Sequence, residues 1–430
     1  MIEAAAGFVL VLLLIALRVP IAVAMGLVGA LGLWWVWGPA SLGFVLGKAP
    51  FDAIATPSLA IVPLFVMMGV FAARGGLSRS LYEAARAFLG HRRGGLALAT
   101  VGASALFGAI CGSSLATAAT IGKVAMPEMR RAGYSDTLAA ASVAAGGTLG
   151  VMIPPSVLFV VYGLMTEQSI GKLFAAGLLP GLSGMLLYMA AVRLSTRRGL
   201  AATVAPRLSW RERLATLARI WQTALLLLLV LVGMYAGLFT PSEAAAVGAA
   251  GALFLTWLNG QLTLATLRDG LVETVLTTAM IFAILIGAAI FNAFVDATGI
   301  ARVVIDRVAA VGADPLLVLL ALALLYIALG CLMDSLSMIL LTIGAVFPVI
   351  RGLGIDPIWF GVFLVTLAEI GMITPPVGMN LFVLQSTVPG LGLGTVSRGI
   401  LPFVAADAVR LLILLTVPAL ATWLPGLLFG

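Results

Sequence analysis

Two short segments of this chain set hydroxyls around a turn inside an apolar stretch, an arrangement suited to ion chemistry. One is Gly112-Ser113-Ser114-Leu115-Ala116-Thr117, the other Met333-Asp334-Ser335-Leu336-Ser337. A chain that turns at membrane depth strips backbone N–H and C=O groups of their helical partners. Each unpaired group is costly in hydrocarbon, so the turn persists only where protein, water or ligand satisfies it. Hydroxyls and freed carbonyls are hard oxygen donors suited to Na⁺, and a helix N-terminus just beyond them suits an anion. Read alone, the first segment is better explained as a close contact of small residues between helices. The carboxylate of Asp334 shifts that balance, because an acid inside an apolar run is a functional candidate by default.

A second pair of segments carries consecutive prolines. They are Gly146-Gly147-Thr148-Leu149-Gly150-Val151-Met152-Ile153-Pro154-Pro155-Ser156 and Glu369-Ile370-Gly371-Met372-Ile373-Thr374-Pro375-Pro376-Val377-Gly378-Met379-Asn380. Two prolines in a row remove two amide donors and clash with the preceding turn, which predicts a broken helix. A lone proline would predict only a kink. Thr148, Ser156, Glu369, Thr374 and Asn380 place polar groups beside the breaks. Other polar residues read as structural. Glu243, after Pro241 and a Ser N-cap, suits helix capping. Asn292, Asp296 and Asp407 suit contacts between helices, and His91 beside Arg92 and Arg93 suits an interface.

The elements that must hold these residues are apolar helices. Of 430 residues, 62% are apolar and 10% charged, far from the quarter charged of a soluble domain. The solvent is therefore a bilayer. The net charge of +7 sits mostly in loops, where it sets topology rather than attracting nucleic acid. Cys111 and Cys331 lie in apolar runs and make no disulfide framework. The first apolar run leads straight through Arg18 and Pro20 into another, so it reads as a span rather than a cleavable leader.

The chain also contains itself twice. An offset of 221 carries Pro20 onto Pro241, Ser113-Ser114 onto Asp334-Ser335, Pro127 onto Pro348, Gly150 onto Gly371 and Pro154-Pro155 onto Pro375-Pro376; it slips to 222 by Pro180 and Pro402. Spans are expected near 4–18, 20–38, 57–73, 137–165 and 172–192, with 94–129 a re-entrant hairpin broken at Gly112-Ser113-Ser114. Five crossings per half invert the second half. The expected organisation is a first repeat over 1–195 (hairpin about 94–131, broken helix about 137–165), a basic cytoplasmic linker over 196–220, and a second repeat over 221–430 (hairpin about 313–351, broken helix about 357–388). The joining loop holds Arg193, Arg197, Arg198, Arg207, Arg211, Arg213 and Arg219 against Glu212 alone. That places it, Arg74 to Arg93, and Arg130-Arg131 inside and both termini outside. Leu77 to Arg93 fits a helix lying in the interface equally as well as an ordinary loop helix.

These motifs resemble the large membrane subunit of the tripartite ATP-independent periplasmic (TRAP) transporters over essentially the whole chain. The carrying residues are Cys111 to Ala119, Pro127 to Tyr134, Gly147 to Tyr162, Gly237 to Ala246 and Glu369 to Phe382. One departure is Gly344, where the family often has a proline. The resemblance implies an all-α, elevator-type fold in the bacterial inner membrane, with an inverted repeat of hairpins and discontinuous helices. It implies Na⁺-driven uptake of a small organic anion such as a dicarboxylate, keto acid, sialic acid or sugar acid. A separate four-helix subunit and a periplasmic substrate-binding protein are the implied partners, beside membrane lipid.

On this basis two pseudo-symmetric Na⁺ sites are expected. One uses Ser113, Ser114, Gly147, Thr148 and Pro154, the other Asp334, Ser335, Gly371, Thr374 and Pro375. Ser114, Thr117, Pro155, Ser156, Ser337, Pro376 and Asn380 are the expected substrate contacts. The rival readings are a stand-alone anion/Na⁺ symporter of the same architecture, a channel, and an intramembrane enzyme. The single His and lack of a metal-ligand spacing speak against the enzyme.

Overall fold

The structure is a computed structural model that describes residues 2–197, 206–311 and 314–430. Arg198 and the following linker residues through 205 lie outside the described residues. Every regular element in the described residues is helical.

The first half runs α1 (Ile2–Ala16), α2 (Ile21–Trp37), α3 (Pro39–Ile54), a 3₁₀ turn (Pro57–Ala60) into α4 (Ile61–Arg74), and α5 (Leu77–Leu89). Then come α6 (Gly95–Cys111), α7 (Ser114–Arg131), α8 (Asp136–Met152), α9 (Val157–Thr166) and α10 (Ile170–Arg197). A short α11 (Trp210–Ala218) follows in the basic linker. The second half runs α12 (Trp221–Tyr235), α13 (Pro241–Leu258), α14 (Leu264–Ala297), α15 (Ile300–Val311) and α16 (Pro315–Gly330). It ends with α17 (Ser335–Gly352), α18 (Pro357–Ile373), α19 (Met379–Thr387), α20 (Leu393–Thr416) and α21 (Ala419–Phe429).

Among the described residues, five helices are long and apolar enough to cross a bilayer, or up to seven if each bent pair counts as one span. Exposed Leu, Val and Trp side chains cover the outside of α2, α12, α14 and α16. A water-facing surface would not tolerate so continuous an apolar coat; hydrocarbon does.

Local chemistry explains where the helices start. Ser113 caps α7, Ser135 caps α8 and Ser156 caps α9, each side chain accepting a backbone N–H of the first turn. Asp334 and Asp356 do the same for α17 and α18, satisfying donors that a helix start leaves orphaned. Glu243 does belong to a cap, but its N-cap is Thr240 rather than a serine. Glu243 closes a capping box with the Thr240 N–H at 2.8 Å.

The breaks fall at the double prolines. Helices α8 and α9 are bent by 41° across Ile153 to Ser156, and α18 ends before Thr374. Both Pro-Pro bonds are cis. Helices α7 and α17, and likewise α8 and α18, begin 221 residues apart, whereas α9 and α19 begin 222 apart. The inserted residue thus lies in the second break, which spans Thr374 to Gly378 where the first spans Ile153 to Ser156.

The halves differ most before α6 and α16. Helix α14 is continuous for 34 residues, while the matching stretch of the first half is divided into α3, the turn at Pro57 and α4. Pro57 has no N–H to continue a helix, and α14 contains no proline. Helix α3 falls outside the spans expected from sequence: it carries Pro39, Lys48, Pro50 and Asp52, and none of its residues is buried. The interfacial segment forms α5 as a helix, with Leu77, Leu81 and Tyr82 buried. Helix α11 lies beside it, Arg213 Nη2 reaching His91 Nδ1 at 3.4 Å.

Two glycine pairs let α6 cross α8, and α16 cross α18, at backbone contact. A Cβ on Gly150 would lie 2.3 Å from the Gly108 Cα, and one on Gly371 would lie 2.6 Å from the Gly330 Cα. The departure at Gly344 has a similar cause, since a Cβ there would meet Asn292 Oδ1 at 2.5 Å. A proline would bring that atom.

Candidate functional site

The turns between α6 and α7 and between α16 and α17, here the two tips, meet at one face of α18. Ser335 Oγ donates to Glu369 Oε1 at 3.0 Å and touches Met372 Sδ at 2.7 Å. Ser114 Oγ approaches the same sulfur at 3.5 Å. Ser114 and Ser335 are the first residues of α7 and α17 and occupy matching places in the repeat. Both are buried, and Glu369 is 1% exposed. Glu369 and Met372 are three residues apart, hence on one helical face. Glu369 Oε2 has no hydrogen-bond partner among the described residues. A buried carboxylate oxygen in that condition is costly.

The first tip also touches the first broken helix. A Cβ on Gly147 would lie 2.9 Å from the Ser114 carbonyl oxygen and 3.0 Å from the Ala118 Cβ. Gly147 is therefore the residue that lets α8 reach the tip backbone. Gly112 turns the chain there with a positive φ of 64°. At the second tip, Asp334 is half-buried. It accepts the Ser337 N–H at 3.1 Å and the Ser337 hydroxyl. Freed carbonyls of the second break face α16: Cys331 Sγ lies 3.4 Å from the Thr374 oxygen.

Other expected site residues point elsewhere. Thr148 Oγ1 donates to the Ala145 carbonyl at 2.8 Å and pairs with Tyr188 Oη at 3.2 Å, on the α10 side of α8. Thr374 Oγ1 turns back to the Ile370 carbonyl at 2.6 Å. Ser156 caps α9, and Thr117 is buried where α7 passes Gly108. Asn380 Nδ2 donates to the Ala144 carbonyl at 3.1 Å, tying α19 of one half to α8 of the other. Pro154 and Pro155 are buried, whereas Pro375 is partly buried and Pro376 is exposed.

From the sequence Glu369 is only a polar neighbour of the break, and Met372, Tyr188 and Arg410 carry no site expectation. Asp407 is a structural contact, as expected, but a charged one. Its Oδ2 accepts the Tyr188 hydroxyl at 2.6 Å, and Arg410 Nη2 lies 2.9 Å from its Oδ1. Both charges are buried, at 0% and 1% exposure. An arginine three residues after an aspartate in an apolar helix was the available signal.

The donors at the tips are hydroxyls, carbonyls and a carboxylate, chemistry that fits a hard cation. Solved transporters share this fold. MtrF of Neisseria gonorrhoeae, from a class described as antimetabolite efflux pumps, superposes with a TM-score of 0.63 at 13% identity, covering 96% of this chain and 94% of that one. The YdaH transporter of Alcanivorax borkumensis does so with a TM-score of 0.60 at 19% identity, covering 91% of each.

Sequence relatives are nearer. The C4-dicarboxylate TRAP transporter large permease protein DctM of Pseudomonas aeruginosa is 39% identical, covering 94% of this chain and 93% of the relative. The sialic acid TRAP transporter large permease protein SiaM of Vibrio cholerae is 34% identical over 87% of each. The isethionate TRAP transporter permease protein DctMQ of Oleidesulfovibrio alaskensis is 36% identical over 96% of this chain, which spans 65% of that longer protein. A family model for the DctM component of tripartite ATP-independent periplasmic transporters matches residues 8–420, and the chain belongs to that family.

Proposed function

We propose that this chain is the translocating subunit of a Na⁺-coupled importer that takes a small organic anion from a periplasmic binding protein and works with a separate four-helix membrane subunit. The observation that carries this reading is the meeting of Ser114 and Ser335 at Met372, with Glu369 beneath them. Two matching tips share one face of a broken helix, as a cation site at a repeat interface requires. Ser113, Ser114, Gly147 and the nearby first break would hold one Na⁺. Asp334, Ser335, Gly371 and the freed carbonyls at Thr374 and Pro375 would hold the other. The cations would supply positive charge beside which a carboxylate substrate can sit.

In this reading the two halves are inverted repeats, the termini are periplasmic, and the hairpins with the broken helices move as an elevator against the remaining helices. The hydroxyls of Thr148 and Thr374 are engaged by protein in this state, so their part in cation binding would need rotation of those side chains. Relatives named for C4-dicarboxylate, sialic acid and isethionate support an anionic solute.

The test is uptake into proteoliposomes holding the permease, its small subunit and binding protein. Asp334→Ala should abolish Na⁺-coupled uptake; unchanged Na⁺ dependence would refute the role of the second tip. Omitting the binding protein should also stop uptake, whereas a stand-alone symporter would continue.

A further inference from the structure

An apolar groove runs between the first half and α12, with charge at one end only. Leu89, Leu98, Leu186 and Met189 line a cavity of about 440 Å³, and Arg92 and Arg193 stand at its rim. Leu89 is shared with a second cavity of about 440 Å³, walled by α5, α6, α10 and α12, that reaches Ile153 and Pro154 at the first helix break. The groove thus leads from two arginines to the break.

Those arginines are exposed, and neither makes an ion pair among the described residues. The undescribed residues contain no acid that could serve. Of the nearby arginines, Arg86 pairs with Glu128 and Arg130 with Asp136, while Arg79, Arg93 and Arg131 also make no ion pair among the described residues; what sets Arg92 and Arg193 apart is that they line the apolar cavity. The occupant that fits has a negatively charged end and a long tail without hydrogen-bonding groups. An extended peptide would leave its N–H and C=O groups unpaired against walls of Leu, Met and Ala.

We propose that the groove binds an anionic phospholipid, with its phosphodiester at Arg92 and Arg193 and one acyl chain lying over Leu98, Leu186 and Met189 toward Pro154. The long aliphatic stems of the arginines suit this position, covering apolar surface while the guanidinium stays at headgroup level. The bound chain would be a packing neighbour of the first break, so lipid charge would bear on the segment that holds the first tip. The lipid-binding inference does not need the Na⁺-coupling reading, and it survives if that reading fails.

The experiment measures lipid retained by the purified permease with its small subunit, by native mass spectrometry, offering phosphatidylglycerol and phosphatidylethanolamine of identical chains. The wild-type protein should prefer phosphatidylglycerol by on the order of 30-fold, the factor that two headgroup-level arginines supply. Arg92→Gln/Arg193→Gln should erase the preference. Arg93→Gln, an equal loss of charge outside the groove lining, should keep it. Met189→Trp, which fills the groove, should weaken retention of both lipids. Equal retention of the two lipids by the wild type, or an undiminished preference in the double variant, overturns the proposal. So does a double variant that holds lipid normally but sheds the small subunit, since the groove would then be a subunit face.

Discussion

Asp407 and Arg410 offer the most direct test of how charge is held inside this fold. Their side chains are 0% and 1% exposed, with Arg410 Nη2 2.9 Å from Asp407 Oδ1. Tyr188 donates to the other carboxylate oxygen at 2.6 Å. Room for the guanidinium comes from Gly184, where a Cβ would lie 2.6 Å from Arg410 Nη1. Asp407→Asn keeps the volume and an acceptor for Tyr188 but leaves a buried positive charge without its partner. Arg410→Met leaves the converse. Each single change should cost about 3–5 kcal/mol, because removing one partner exposes the full desolvation penalty of the other. The double change Asp407→Asn/Arg410→Met removes both charges and should be at least ~2 kcal/mol more stable than either single variant. The measurement is reversible unfolding of the purified permease in mixed micelles, followed by tryptophan fluorescence. Additivity of the two single costs within about 0.5 kcal/mol would show that the charges are not coupled, and the reasoning would be wrong.

Further predictions follow from other contacts. Gly150→Ala puts a methyl 2.3 Å from backbone at Gly108, against a normal carbon contact of about 3.5–4.0 Å. It should destabilise by about 1–3 kcal/mol or more and lower the thermal midpoint further than Gly371→Ala; an unchanged midpoint would mean α6 can slide. Glu369→Ala removes the Ser335 acceptor and should cost about 1–3 kcal/mol, while Glu369→Gln keeps an acceptor and should cost less. Equal denaturation midpoints for the two variants would refute the clamp at the tip. At Glu212, the Ser209 hydroxyl and then its N–H hold the carboxyl below its ordinary 4.5. The folded value is the lower one, so the stabilisation is present above pH 4.5 and is lost as pH falls through the folded value. Amide exchange across α11, corrected for intrinsic rate, should therefore speed up on acidification, and Glu212→Gln should flatten that dependence.

Several features were legible because they are local. Consecutive prolines break a helix wherever they fall, so Pro154-Pro155 and Pro375-Pro376 marked the breaks directly. Ser113 and Asp334 begin helices because a short side-chain acceptor satisfies a first-turn N–H. The slip from 221 to 222 was visible, but its location was not; helix boundaries put it between Ile373 and Met379. Helix α3 is not legible in the sequence, because its prolines and charges interrupt the apolar run that marks a span.

By itself, the amino-acid sequence determined that the chain is a bundle of apolar helices with paired interruptions, since composition and backbone chemistry act over a few neighbouring residues. The tertiary structure alone decided that Ser114 and Ser335 meet at Met372, that Thr148 turns toward Tyr188, and that Asp407 and Arg410 are sealed from solvent. Those contacts join residues up to 258 positions apart. They depend on which helix faces pack together and how closely the glycines let them approach, and no local pattern encodes that.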